Sequence, residues 1–318
     1  MSIRGWFVWE ELMTTDKASA ASFYEKVAGV KTKTAPFDPN YSMFVGSNGN
    51  MGGLMSLPDE AKAGGTRPMW ISYIGTPNVD ETARAAAALG GQVHKAPWDI
   101  ADGGRIAILS DPQGAVFAIY SNPKASDAPP SHVGLGHASW HELATTDYRA
   151  AFNFYQRLFG WHVVNDMEMP GTGVYRLFAP EGVKDGIGGI YTKAASQPGS
   201  PAWLPYLKVA DVKKATGKAK SLGAQILHGP ADVPGGMITM AVDPQGVMFA
   251  IHQSTAMPAA APAATPKKAT PKKASSKTSA TKVRKAAKAK KKAAPKKKKA
   301  AAKRKSAKKV TRKAGSKK

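Results

Sequence analysis

Trp140-His141-Glu142-Leu143-Ala144-Thr145-Thr146-Asp147 repeats, 131 positions later, the stretch Trp9-Glu10-Glu11-Leu12-Met13-Thr14-Thr15-Asp16. Each copy runs into a helix-like segment ending in Phe-Tyr and then glycine, at Phe23, Tyr24 and Gly29 and at Phe154, Tyr155 and Gly160. A whole strand-to-helix unit is duplicated, so any fold open to this chain must accommodate that unit twice.

The repeat extends beyond that stretch. Aromatic and β-branched residues over 5–13 predict a strand, and Asp16 predicts the cap of a helix over 17–28 whose Ala20, Phe23, Tyr24 and Val27 share one face. Short strands are expected near 41–45 and 52–56. A second unit of the same order starts at Pro68, with a strand through 70–74, a helix over 80–89 and strands near 92–95, 105–110 and 116–120. The segments 136–144, 148–159, 174–178 and 188–192 repeat the first unit. Those at 203–209, 211–222, 225–228, 237–242 and 248–252 repeat the second. The turns Asp111-Pro112-Gln113-Gly114 and Asp243-Pro244-Gln245-Gly246 precede two closing strands that differ at few positions. The chain therefore reads as four βαβββ units in two pairs, an α+β arrangement. Its expected domains are 5–121 (units 5–60 and 68–121) and 136–253 (units 136–192 and 201–253), joined by a proline-bearing linker over 122–135.

Four such units, the Thr-Thr-Asp helix start followed by Phe-Tyr, and Asp-Pro-Gln-Gly before the last strand resemble the vicinal oxygen chelate superfamily of glyoxalases, bleomycin-resistance proteins and extradiol dioxygenases. The resemblance implies two modules curled around a cavity in each domain. It further implies metal ligands on the first and last strands of the modules, usually His or Gln and then Glu. Aligned on the helix cap, the first ligand position falls on Trp9 and Trp140. Aligned on Asp-Pro-Gln-Gly, the Glu position falls on Ala118 and Ala250. None of these side chains binds a divalent transition metal.

Strand alternation fills in the rest of each cavity. Glu11 and Glu142 share a face with Trp9 and Trp140, and Tyr120 and His252 follow Ala118 and Ala250 on theirs. Trp70, Tyr73, Trp203 and Tyr206 are the further candidates for ligand contact. The expectation is an aromatic cavity with one carboxylate, twice over, and no resident cofactor. It suits a small, partly apolar or aromatic molecule, with Glu11 or Glu142 as hydrogen-bond acceptor or general base. A competing reading keeps catalysis of lyase, isomerase or ring-opening type, with Glu142 and His252 as an acid–base pair and a divalent metal bound. His141 is out of cavity register and is expected to pack on the opposite face. Arg105 is read either as an anchor for an acidic ligand group or as a surface residue.

Charge separates the chain into two parts. From Thr255 onward there are 25 Lys and Arg and no Asp or Glu, which leaves 21 basic against 22 acidic residues in the rest. The terminal segment is rich in Lys, Ala and Pro and has no aromatic residue, so it is expected to be disordered when free. It resembles the tails of linker histones. Lys267, Lys268, Lys272, Lys273, Lys290, Lys291, Lys292, Lys296, Lys297, Lys298, Lys299, Lys303, Arg304 and Lys305 are expected to neutralise nucleic-acid phosphates without reading sequence. The chain has no cysteine, so disulfides, thiolate metal sites and cysteine nucleophiles are excluded. No signal peptide or apolar run of membrane-spanning length is apparent, and the expectation is a soluble cytoplasmic protein, nucleoid-associated through its tail.

Overall fold

The computed structural model describes residues 3–101, 103–123, 134–197 and 199–255. The lysine-rich segment, including every basic residue from Lys267 to Lys305 named above, lies outside them, as do His132 and most of the expected linker. The first repeat contains β1 (Phe7–Thr14), α1 (Lys17–Ala28), β2 (Lys31–Ala35), β3 (Asp38–Gly46), β4 (Gly49–Ser56) and a short α2 (Asp59–Ala63). It continues with β5 (Met69–Gly75), α3 (Val79–Ala88), β6 (Gln92–Asp99), β7 (Arg105–Ser110) and β8 (Val116–Ser121). The second contains β9 (Ala138–Thr145), α4 (Tyr148–Phe159), β10 (His162–Met169), β11 (Gly173–Ala179), β12 (Gly188–Thr192), β13 (Ala202–Lys208), α5 (Val212–Ser221), β14 (Gln225–Val233), β15 (Gly236–Val242) and β16 (Met248–Ser254).

Each repeat closes into one eight-stranded sheet, ordered β2-β3-β4-β1-β5-β8-β7-β6 and β10-β11-β12-β9-β13-β16-β15-β14. The two modules of a sheet meet where β1 runs antiparallel to β5, and β9 to β13. Modules therefore pair with their neighbours in sequence. Strands β2 and β10, absent from the sequence expectation, each form one edge of a sheet. The Lys-Thr-Lys-Thr run of β2 is exposed and carries no burial pattern to betray it.

The helices form for local reasons. Asp16 caps α1 by accepting from the Ser19 amide, and Gly29 ends it at φ 72°, a left-handed conformation that favours glycine. Asp147 and Gly160 do the same for α4.

The cores are shared between repeats. One gathers Phe7, Ile74, Leu109 and Phe117 of the first repeat with Tyr155, Trp161, Phe178 and Trp203 of the second. The other joins Phe23, Tyr24, Phe44 and Trp70 to Leu207, Val212, Ala215 and Phe249. Two hydrogen-bond sets cross between repeats in the same way. Gln245 of one closing turn accepts from Thr14 Oγ1 (2.5 Å), Thr15 Oγ1 (2.8 Å) and the Asp16 amide (2.7 Å), and donates to the Asp16 carbonyl (2.9 Å). Gln113 makes the mirror contacts with Thr146 and Asp147. Each Asp-Pro-Gln-Gly turn thus holds the helix start of the other repeat, which explains why both motifs recur together. Substituting Gln245 with Ala should cost about 1–2 kcal/mol in urea unfolding, and Gln113→Ala a similar amount, because a helix start loses partners that its own chain does not replace.

At the centre, Glu10 and His141, which occupy the same position of the two repeats, form a buried pair at 2.6 Å. Ser72 Oγ donates to the other Glu10 oxygen at 2.6 Å, and Phe7 stacks on the imidazole at 3.6 Å with an interplanar angle of 6°. His141 thus faces away from the cavity, as alternation required, and its partner is the other repeat.

Candidate functional site

The open face of each sheet carries a chain of four side chains. In the first repeat, Trp9 Nε1 donates to Tyr41 Oη (3.2 Å). Tyr41 donates to Glu11 Oε2 (2.8 Å), and Tyr73 donates to Glu11 Oε1 (3.2 Å). In the second, Trp140 Nε1 donates to Tyr175 Oη (2.9 Å), which donates to Glu142 Oε2 (2.9 Å), and Tyr206 also donates to Glu142. A bulge in the β1–β5 register between Phe7 and Trp9 sets this geometry. It leaves Phe7 and Glu10 facing the helices while Trp9 and Glu11 face the cavity.

Tyr41 and Tyr175 were not among the residues singled out from sequence. Each crosses its neighbouring strand to reach the carboxylate, and it can do so only because that strand offers glycine. A Cβ on Gly53 would lie 1.7 Å from Tyr41 Oη, and one on Gly189 would lie 2.0 Å from the Tyr175 ring. The recurrent pairing of a tyrosine with a facing strand glycine is the signal that could have found them.

Around Glu142 the walls close to a cavity of ≈ 170 Å³, lined by Trp140, Met167, Met169, Tyr175, Leu177, Tyr206, Val233, Pro234, Ile238 and His252. The lining is mostly apolar, with its polar groups converging on one carboxylate. In the first repeat, Tyr120 packs against the cluster of Tyr73, Ile106 and Ala118. A larger open concavity of ≈ 780 Å³ lies between α1 and α5, but no buried polar group faces into it.

Several expected site residues are elsewhere. Trp70 and Trp203 sit on the opposite faces of their sheets, donating to Tyr24 (3.3 Å) and Tyr155 (2.9 Å) within the shared cores. They stand three residues from Tyr73 and Tyr206, so alternation excludes a common face. His252 lines the second cavity with Glu142, yet its Nδ1 is bonded to Ser139 Oγ (2.8 Å) and it has a further hydrogen bond to the Gly235 backbone. The two are not an acid–base pair in this geometry. Arg105 is held by Asp80 (2.6 and 2.9 Å) and Asp99 (2.8 Å) at the surface.

Burial raises the Glu11 and Glu142 carboxyls above the ordinary glutamate value, and the tyrosine hydrogen bonds offset only part of that shift. A carboxyl whose folded pKa is raised favours folding when protonated, and that contribution is lost as pH rises from the unfolded value through the folded one. Glu142→Gln should therefore flatten the decline in stability above about pH 4.5, measured by urea unfolding across pH. Burial lowers the His252 imidazole below its usual value.

The donor set does not fit a His- and carboxylate-bound transition metal. Among the described residues no three His, Cys, Asp or Glu side chains converge on one point. Trp9, Trp140, Ala118 and Ala250 occupy the strand positions at which the resemblance placed ligands.

With fold and site in place, comparison defines the class. The model of the Glyoxalase/Bleomycin resistance protein/Dioxygenase superfamily matches residues 6–119 and 134–251, and the chain belongs to that family as a tandem member. Among individual proteins it is similar to CFP32 of Mycobacterium bovis, a protein named for glyoxylase, with 29% identity over 76% of this chain and 92% of the relative. It is also similar to the anthracycline biosynthesis protein DauV of Streptomyces sp. (strain C5), at 28% identity over 81% and 96%. The Mn(II)-bound glyoxalase from Novosphingobium aromaticivorans superposes with a TM-score of 0.55 at 16% identity, covering 80% of this chain and 83% of that one, a likeness of fold alone. No helix among the described residues is long and apolar enough to cross a membrane.

Proposed function

We propose that this protein binds a small, partly apolar or aromatic molecule in the cavity walled by Trp140, Tyr175 and Tyr206, with Glu142 as the polar anchor and no resident metal. The observation that carries this reading is the Trp–Tyr–Glu–Tyr chain, built at the same strand positions of both repeats around one carboxylate. Relatives named for glyoxylase and for anthracycline biosynthesis support a small-molecule ligand. The test is mass spectrometry of small molecules released from purified protein. A species present in the wild type and lost in Glu142→Ala is the expected result, and identical profiles would contradict it.

A second reading, favoured by the raised Glu142 carboxyl, keeps glyoxalase- or dioxygenase-like catalysis with Glu142 as general acid–base and His252 nearby. Turnover of a carbonyl or aromatic substrate that is abolished by Glu142→Gln would establish it.

The lysine-rich C-terminal segment is proposed to hold nucleic acid through phosphates, on the strength of 25 basic and no acidic residues from Thr255 onward. If ten of them each neutralise a phosphate, binding to duplex DNA should fall with a log–log salt slope of roughly −9. Equal retention on duplex DNA with and without residues 255–318 would overturn this role.

A further inference from the structure

The two repeats surround their carboxylates differently, Glu11 being buried and Glu142 partly buried. In the first repeat, an exposed lysine stands over an aromatic ring. Lys95 Nζ lies 3.9 Å from the centroid of the Trp98 ring, Trp98 packs on the cluster formed by Tyr73 and Ala118, and the Lys95 charge favours the ionised form of Glu11 less than the Tyr41 and Tyr73 hydrogen bonds do, against a larger opposing effect of burial. Strand register identifies the matching positions of the second repeat. Lys95 pairs with Ile108 and Trp98 with Ile106, whereas His228 pairs with Met240 and Ala231 with Ile238. His228 and Ala231 therefore stand where the first repeat has the ammonium and the ring beneath it.

The second cavity has a partly buried carboxylate and no Lys or Arg among its walls. His252 is the basic side chain among those walls, and burial together with the Lys208 charge lowers its pKa, disfavouring its charged form. A carboxylate taken out of water calls for a positive partner or a proton. Hydrogen-bond inventory points the same way. The Trp140 N–H is spent on Tyr175, and both tyrosine hydroxyls are spent on Glu142. Around that carboxylate the remaining valences are lone pairs, which accept from a ligand and give it nothing. Aromatic faces beside a carboxylate favour organic cations, and ≈ 170 Å³ admits only a compact one.

We infer that the second cavity takes a small organic ammonium on a compact apolar body, seated between Glu142 and the rings of Trp140, Tyr175 and Tyr206. The inference rests on the reading of this cavity as the ligand site. Calorimetric titration of the full chain at neutral pH with benzylammonium and with benzyl alcohol, its neutral counterpart of equal shape, tests it. Benzylammonium should bind at one site per chain, about tenfold or more tighter than the alcohol, and Glu142→Gln should bring the two together. Benzyl alcohol binding as tightly as the ammonium in the wild type would overturn the cation class and leave the cavity as the ligand site. Binding of neither probe would overturn both readings.

Discussion

Replacing His141 with alanine should destabilise the protein by about 3–5 kcal/mol in urea unfolding, the largest effect expected of any single polar substitution in this chain. The imidazole lies 2.6 Å from Glu10 in the layer between the two sheets, and both side chains are buried. Removing it leaves Glu10 with the Ser72 hydroxyl alone and opens a cavity beneath the stacked Phe7 ring. The cost comes from stranding a carboxylate, not from the net worth of the pair, so the double substitution Glu10→Met with His141→Leu should recover most of it. A loss below about 1 kcal/mol in His141→Ala would show that the pair contributes little.

The second large effect concerns the repeats as units. A fragment of residues 1–123, kept monomeric, should show no cooperative unfolding transition and should bind hydrophobic dyes. Without the second repeat, Phe7, Ile74, Leu109 and Phe117 lose Tyr155, Trp161, Phe178 and Trp203, and α1 loses Phe249, Val212 and Ala215. Burial of large apolar side chains contributes about 1.5–3 kcal/mol each, which a marginally stable half-chain cannot forgo several times over. Strand pairing within the fragment is complete, so the prediction separates packing from hydrogen bonding. A sharp thermal transition with native-like near-ultraviolet dichroism would show that each repeat folds alone.

Much of this arrangement was legible in the amino-acid sequence, and the parts that were not have physical reasons. The duplicated βαβββ order was readable because capping aspartates, terminal glycines and Asp-Pro-Gln-Gly turns are local signals. The placement of Glu11 and Glu142 in the cavity, and of His141 outside it, followed from strand alternation. Strand β2 escaped because its exposed Lys-Thr-Lys-Thr run has no buried face to pattern, and β10 because its alternation reaches only half-buried residues. Tyr41 and Tyr175 escaped because their reach depends on Gly53 and Gly189 of a different strand, and no periodicity within β3 or β11 shows that contact. Trp70 and Trp203 were placed on the cavity by residue type, although their three-residue separation from Tyr73 and Tyr206 already opposed it. Gln113 and Gln245 read as turn residues, and their reach to the other repeat became visible only with both repeats in one structure.

The same repeat logic connects the fold to the site. β1 sends Glu10 to the central pair and Glu11 to its cavity, and β9 does likewise with His141 and Glu142. One strand in each repeat therefore holds the molecule together with one side chain and supplies the polar group of a cavity with the next. The resemblance implies metal ligands where this chain has tryptophan and alanine, and here tyrosines hold the carboxylate in place.

Elemental analysis of the full chain, purified without chelators and compared with Glu142→Ala, tests most directly whether that aromatic chain stands in place of a metal centre. Substoichiometric metal, unchanged by the substitution, is the predicted result; near-stoichiometric Zn, Ni, Fe or Mn that is lost with Glu142 would contradict it.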